Sequence, residues 1–226
     1  MKFLTGPAWD ERVIDLNPAS KIGILVSSGV DSTTLLKLIW DNFKDINIRL
    51  FNVQTSENPA KPTIQKILDQ LEIPLELEIV GKSRWNWPMH AHYPRLCKAF
   101  QEIRDTTDCE ELYCGNILPP HPQWFPRWDV KQKGIAKRPW VTNDKFLKNP
   151  FEHLEKYHVL DIGVRNNFEQ IYQQTISCNI HAEIPCNDCM GCCELKWGWE
   201  QLSPKVGTTL DEMTKDAMIK YGNIGW

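Results

Sequence analysis

Two groups of residues have the types and the spacing to do chemistry. In the first, Ser27-Ser28-Gly29-Val30-Asp31-Ser32 puts three hydroxyls, a glycine and a carboxylate on one short stretch. Small residues let an anionic group approach the backbone closely, and serine hydroxyls add donors. The stretch has no lysine, so it is not the GxxxxGK[ST] phosphate loop. In the second group, Cys178, Cys186, Cys189 and Cys192 are spaced C-x7-C-x2-C-x2-C. C-x2-C turns bring thiolates onto one ion, and four thiolates with no open position make a closed, structural zinc site. Cys193 adjoins Cys192 and reads as a non-ligand or as its replacement. An iron–sulfur cluster is the rival occupant, because thiolate sets suit both.

The surrounding pattern says how the first group is positioned. Lys21 to Val26 is a short apolar, β-branched run that reads as a buried strand, and Thr33 to Trp40 carries apolar residues at helical spacing. The serines therefore fall where a strand turns into a helix. There the free N–H groups and the positive end of the helix dipole attract an anion, which makes Val26, Ser27, Ser28, Gly29, Val30, Asp31, Ser32 and Thr33 candidate phosphate contacts. Asn47–Val53 alternates as a second strand. Ile64, Ile67, Leu68 and Leu71 mark a helix opened near Pro62, and Leu75–Val80 alternates as a third strand. A β-α-β-α-β order predicts an open, mostly parallel α/β sheet with helices on both faces, whose ligands bind beyond the carboxyl ends of the strands.

Further along, Leu96–Arg104 reads as a helix and Glu110–Gly115 as a fourth strand, while Val13–Leu16 suits an extra edge strand. Residues 117–142 are proline-rich without a period, and their length suggests a lid or substrate-selecting loop. From 150 onward the pattern is helical. A helix over Glu194–Leu202 leaves the cysteines, and a last one covers 208–221. The expected division is a nucleotide-binding α/β domain over 1–145 and a helical segment over 146–226 that carries the four-cysteine site.

With 226 residues, 42% of them hydrophobic and 24% charged, the chain can bury one ample core. Its net charge of −3 argues against a broad nucleic-acid surface. No run reaches the length of a membrane span and no apolar leader core precedes it, which gives a cytoplasmic expectation. Crowding of cysteines in such a chain favours metal over disulfides, leaving Cys97, Cys109 and Cys114 as small apolar residues. Oligomeric state stays open, a homodimer included.

The serine stretch resembles the SGGxDS loop of the PP-loop ATP pyrophosphatases, with Ser28 in place of the first glycine. Together with the cysteine spacing, the chain from Lys21 to Leu202 resembles the 7-cyano-7-deazaguanine synthase family. Asn149-Pro150-Phe151, Lys156, Val159-Leu160 and Thr175-Ile176-Ser177-Cys178 are similar to a segment of that family.

The resemblance implies cleavage of ATP between its α and β phosphates, with pyrophosphate and Mg²⁺ held around Asp31 and with Lys156 stabilising charge. It implies a 7-carboxy-7-deazaguanine-like acid and ammonia as partners, giving the amide and then the nitrile, with Zn²⁺ on the cysteines. Three places depart from the family: Asn52-Val53-Gln54-Thr55 at the end of strand two, Gly115 to Pro122 after strand four, and Cys193 at a basic position. The second lies where the base is to be recognised, so Gly115, Asn116, His121 and Trp124 are the expected substrate contacts and the acid stays open. An amide-only product, tRNA thiolation and a non-catalytic nucleotide-binding module are the alternatives.

Overall fold

The computed structural model describes residues 1–53, 61–81, 92–118, 145–177 and 190–202. His121, Trp124, most of the 117–142 loop, Cys178, Cys186, Cys189 and the 208–221 segment lie outside these. The described elements run β1 (Lys2–Thr5), β2 (Arg12–Asp15), β3 (Lys21–Leu25), α1 (Val30–Asn42), β4 (Asn47–Val53), α2 (Lys61–Gln70), β5 (Leu77–Val80), α3 (His92–Thr106), β6 (Glu111–Tyr113), β7 (Leu147–Lys148), α4 (Lys156–Arg165), a 3-10 helix (Glu169–Gln174) and α5 (Met190–Leu202).

Five strands form one parallel sheet in the order β5-β4-β3-β6-β7. The chain enters at the centre, winds outward through β4 and β5, then crosses back to β6 and β7. The crossover leaves a crevice between the carboxyl ends of β3 and β6, the place where such sheets take ligands.

The pleat sorts the core. Ile22, Ile24, Ile48, Leu50 and Tyr113 point to one face, into a cluster with residues of α1, α2, α4 and α5. Phe51, Val80, Leu112 and Leu147 point to the other, against Ala99 and Ile103 of α3. Helices thus cover both faces, as the β-α-β-α-β pattern predicts. Gly23 sits between two large neighbours, since a Cβ there would come within 2.8 Å of Phe51 and 2.9 Å of Leu112.

α2 keeps its expected stripe, with Ile64, Ile67, Leu68 and Leu71 buried. α1 is buried more widely, at Val30, Ser32, Thr33, Thr34, Leu35, Leu36, Leu38 and Ile39. It lies between the sheet and α4, and its threonines survive burial by bonding back to carbonyls: Thr33 Oγ1 to Gly29 O at 2.9 Å and Thr34 Oγ1 to Val30 O at 2.9 Å.

The structure differs from the sequence expectation in three places. β7 is a fifth strand too short to show a period. α5 starts at Met190, so Cys192 and Cys193 ride on its first turn instead of preceding it. Val13–Leu16 gives β2, which pairs antiparallel with β1 in a separate ribbon (Lys2↔Asp15 to Thr5↔Arg12) and does not edge the main sheet.

That ribbon is latched to α4. Thr5 Oγ1 donates to His158 O at 2.5 Å, the Gly6 N–H donates to Asp161 Oδ2 at 2.7 Å, and Arg165 bridges Asp161 and Gly6 O. Gly6 has φ +98°, and a Cβ there would run into Asp10 and His158, so only glycine fits.

His158 is fully buried and uses both ring nitrogens: Nδ1 accepts the Glu155 N–H at 3.1 Å, and Nε2 donates to Asp10 O at 3.0 Å. Burial, and then the Arg12 charge, push its pKa down to about 4, so it stays neutral when folded. The unfolded chain takes up that proton from about pH 6.5 downward. The contribution of His158 is therefore complete above that pH and is lost as pH falls toward 4, on the order of 3 kcal/mol in all. Urea midpoints at pH 7 and pH 4.5 are expected to differ in this sense, and His158→Gln is expected to flatten the slope. An unchanged slope in His158→Gln would assign acid sensitivity to other groups.

Candidate active site

The loop between β3 and α1 is knotted around one hydroxyl. Ser32 Oγ accepts the Ser27 N–H at 2.9 Å, meets Ser27 Oγ at 2.9 Å, and lies 3.2 Å and 3.3 Å from the carbonyls of Ser27 and Gly29. Ser27 Oγ in turn accepts the Gly29 N–H at 3.2 Å. Ser32 is buried while Ser27 is exposed and Ser28 and Gly29 are half-buried, so the loop offers its backbone outward from a fixed base. Gly29 is the N-cap of α1 and brings no side-chain acceptor. The first-turn N–H groups of α1 are thereby left to water or to an anion, at the positive end of a thirteen-residue helix.

Four other segments converge on this loop. From β4, buried Asn52 donates through Nδ2 to Val26 O at 2.8 Å, while the Val26 N–H donates to Phe51 O at 2.8 Å. After β6, Gly115 passes so close that a Cβ would stand 2.9 Å from Asp31 O, and the Asn116 N–H donates to Oδ1 of buried Asn149 at 3.0 Å. From the segment before Cys178, the Ile176 N–H donates to Ser28 O at 2.6 Å. The fourth is α4. Lys156 Nζ donates to both carboxylate oxygens of Asp31, at 2.6 Å and 2.7 Å.

Lys156 is 2% exposed, and a second carboxylate, Glu194 Oε2 of α5, lies 3.2 Å from its ammonium. Burial by itself pulls a lysine pKa down. Asp31 and Glu194 more than reverse that, and Lys156 ends above its ordinary value, held as the ammonium. Asp31 keeps about a quarter of its side chain open (23%), so it is the member of the trio that a ligand can reach.

The structure thus brings together Val26 to Thr33, Asp31, Lys156, Gly115 and Asn116. Cys192 is buried on α5 and Cys193 is half-buried beside it. Asn52 and Asn149, named in the sequence only in comparison with the family, and Glu194, named only as part of a helix, were not among the expected site residues. Glu194 did carry a signal, being a lone carboxylate among Leu195, Trp197 and Trp199, which α5 buries. Asn149 and Asn52 stand at strand ends, where polar residues are too common to be informative. Among the described residues no helix is long and apolar enough to cross a membrane.

No protein-family profile matches the chain, and no curated protein matches it in sequence. Solved structures do align with it over most of its length. The U34-tRNA thiolase NcsA from Methanococcus maripaludis with its [4Fe-4S] cluster aligns over 92% of this chain and 74% of its own, at TM-score 0.47 and 14% identity. NMN synthetase from Francisella tularensis aligns over 91% and 85%, at 0.46 and 12%. NH3-dependent NAD synthetase from Campylobacter jejuni aligns over 92% and 86%, at 0.43 and 12%.

Because Ser32 Oγ organises the loop, Ser32→Ala is expected to cost about 1 kcal/mol in a thermal melt, the typical net value of a lost hydrogen bond. The same substitution is expected to weaken pyrophosphate binding about tenfold by calorimetry, equivalent to about 1.4 kcal/mol. Unaltered pyrophosphate affinity would show that the loop's shape does not serve an anion.

Proposed function

We propose that this chain is an ATP-dependent enzyme of the PP-loop ATP pyrophosphatase type, which activates an oxygen of its substrate by transfer of AMP. The observation that carries the reading is the convergence of Lys156 on Asp31. A buried ammonium, 125 residues away in sequence, is delivered to the one carboxylate of a loop whose helix N-terminus already suits a phosphate. Packing alone does not require a fully buried lysine, whose desolvation must be offset by paired carboxylates.

In this reading the first-turn N–H groups of α1 and the hydroxyls of the serine loop take the pyrophosphate end of ATP. Mg²⁺ suits one partly open carboxylate plus substrate phosphates, and Asp31 offers that; when bound, the ion neutralises charge on the departing pyrophosphate. Lys156 adds fixed positive charge at the same point, which stabilises the transition state at no reorganisation cost.

The finer proposal is a 7-carboxy-7-deazaguanine-like acid. Its carboxylate oxygen attacks the α-phosphorus of ATP and pyrophosphate leaves. Ammonia then attacks the acyl carbon, and AMP departs with the carboxylate oxygen to give the amide. A second ATP activates the amide oxygen in the same way, with release of pyrophosphate, and loss of that oxygen with AMP and of both nitrogen protons to solvent leaves the nitrile. Gly115, which lies against Asp31, and Asn116 next to it are the proposed contacts of the acid, a role supported by that closeness. The substrate roles of His121 and Trp124 remain part of the proposal, as does a zinc ion on Cys178, Cys186, Cys189 and Cys192.

Pyrophosphate release from ATP, dependent on both 7-carboxy-7-deazaguanine and ammonia, tests the activity. Mass spectrometry of the product distinguishes amide from nitrile. Asp31→Ala is expected to lower turnover at least a hundredfold. ATP binding without acid-dependent release would reject this acid while keeping the nucleotide site. The cysteines make a separate prediction. The purified protein is expected to be colourless with about one zinc per chain by elemental analysis. A brown protein with visible absorbance would instead place an iron–sulfur cluster there.

A further inference from the structure

Lys156 is gripped from two sides, and only one of them is the serine loop. α5 supplies the other. Glu194 reaches the ammonium at 3.2 Å and is 5% exposed. One turn on, Gly198 lies against the stem of the same lysine, where a Cβ would stand 2.7 Å from Lys156 Cγ and 2.9 Å from Leu160 Cδ1. Residues four apart share a helix face, so this face of α5 fits closely over the lysine, with a carboxylate at its head and, along its stem, a glycine that also makes room for Leu160. Any side chain at 198 would displace the lysine or lift the helix.

We infer that Glu194 is a positioning residue for Lys156. The charges explain why it is needed. One ammonium between two carboxylates sums to −1, and Asp31 is the more open carboxylate of the two. A ligand that draws Asp31 away, as magnesium-bound triphosphate would in the reading above on which this inference rests, leaves the ammonium without that partner. Glu194 keeps it paired and in place, so Asp31 can exchange partners without stranding a buried charge. With Glu194 neutral, Asp31 and Lys156 are, among the described residues, each other's remaining counter-ion, and recruiting either one requires breaking their pair.

The test uses the full chain and two independent readouts. Calorimetric titration with MgATP compares wild type, Glu194→Gln, Lys156→Met and the double variant, each first confirmed to melt cooperatively. Glu194→Gln is expected to weaken MgATP at least fivefold in the wild-type background and less than twofold with Lys156→Met, because the effect passes through the lysine. Gly198→Ala, which displaces the stem and leaves every charge intact, is expected to weaken it at least threefold.

The second readout needs no nucleotide: the rate of acylation of Lys156 by an amine reagent at pH 9, followed by peptide mass spectrometry with Lys37 and Lys148 as internal references. Loss of Glu194 is expected to raise that rate at least threefold relative to the references. Equal weakening of MgATP in both backgrounds together with an unchanged acylation rate would overturn the inference and leave the nucleotide reading standing. Faster acylation in a protein that binds no MgATP would uphold Glu194 as the lysine's anchor and reject the nucleotide reading.

Discussion

A charge taken out of water must be paired, and the Lys156 ammonium between Asp31 and Glu194 is the pairing on which the rest of this molecule turns. Removing one partner of such a buried cluster typically costs about 3 to 5 kcal/mol, a large share of a domain's stability. The cost explains why so much structure is committed to keeping three side chains together. α4 must start at Lys156 and α5 must lie across it. The first turn of α1 must present Asp31 to the ammonium. His158, two residues into α4 from the lysine, secures the Glu155 N–H at the helix start and ties that start to the β1–β2 ribbon through Asp10. The ribbon stands outside the sheet and works as a brace for the helix that carries the lysine.

The sheet and the site obey the same constraint. Order β5-β4-β3-β6-β7 puts the chain reversal between β3 and β6, and the segment after β6 crosses the crevice with Gly115, whose missing side chain lets it lie against the backbone of Asp31 and Ser32. The buried amides Asn52 and Asn149 then do for the backbone what further strand pairing would do, by bonding Val26 O and the Asn116 N–H where the ladder has ended.

Much of this was legible in the sequence because it depends on local pattern. The buried run Lys21–Val26, the stripe Ile64, Ile67, Leu68 and Leu71, and the alternation in Asn47–Val53 each follow from burial, and together they specify a parallel α/β sheet with the serine loop at a strand end. Asp31 was legible from composition, since no packing role calls for an acid there. Lys156 came from resemblance, because a lone lysine near a helix start carries no pattern of its own. Glu194, Asn52 and Asn149 act across 26 to 38 or more residues on single atoms, and no period encodes that. β7 was missed for a different reason: two residues paired to β6 are held by the sheet already formed, not by any propensity of Leu147 and Lys148.

The placement of α5 also bears on how the chain is made. Asp31, Lys156 and Glu194 span most of the polypeptide, so their meeting closes long loops and yields nothing until those loops are closed. β3, α1 and β4 are near neighbours in sequence and can form while synthesis is still under way, but Lys156 and then Glu194 are made much later. Until α5 has emerged, a nascent chain holds α1 and its uncapped N-terminus without the carboxylate on the far side of the lysine. The charged trio therefore cannot assemble before α5 is made, and a chain cut short before Glu194 would carry Lys156 and the serine loop without the second carboxylate.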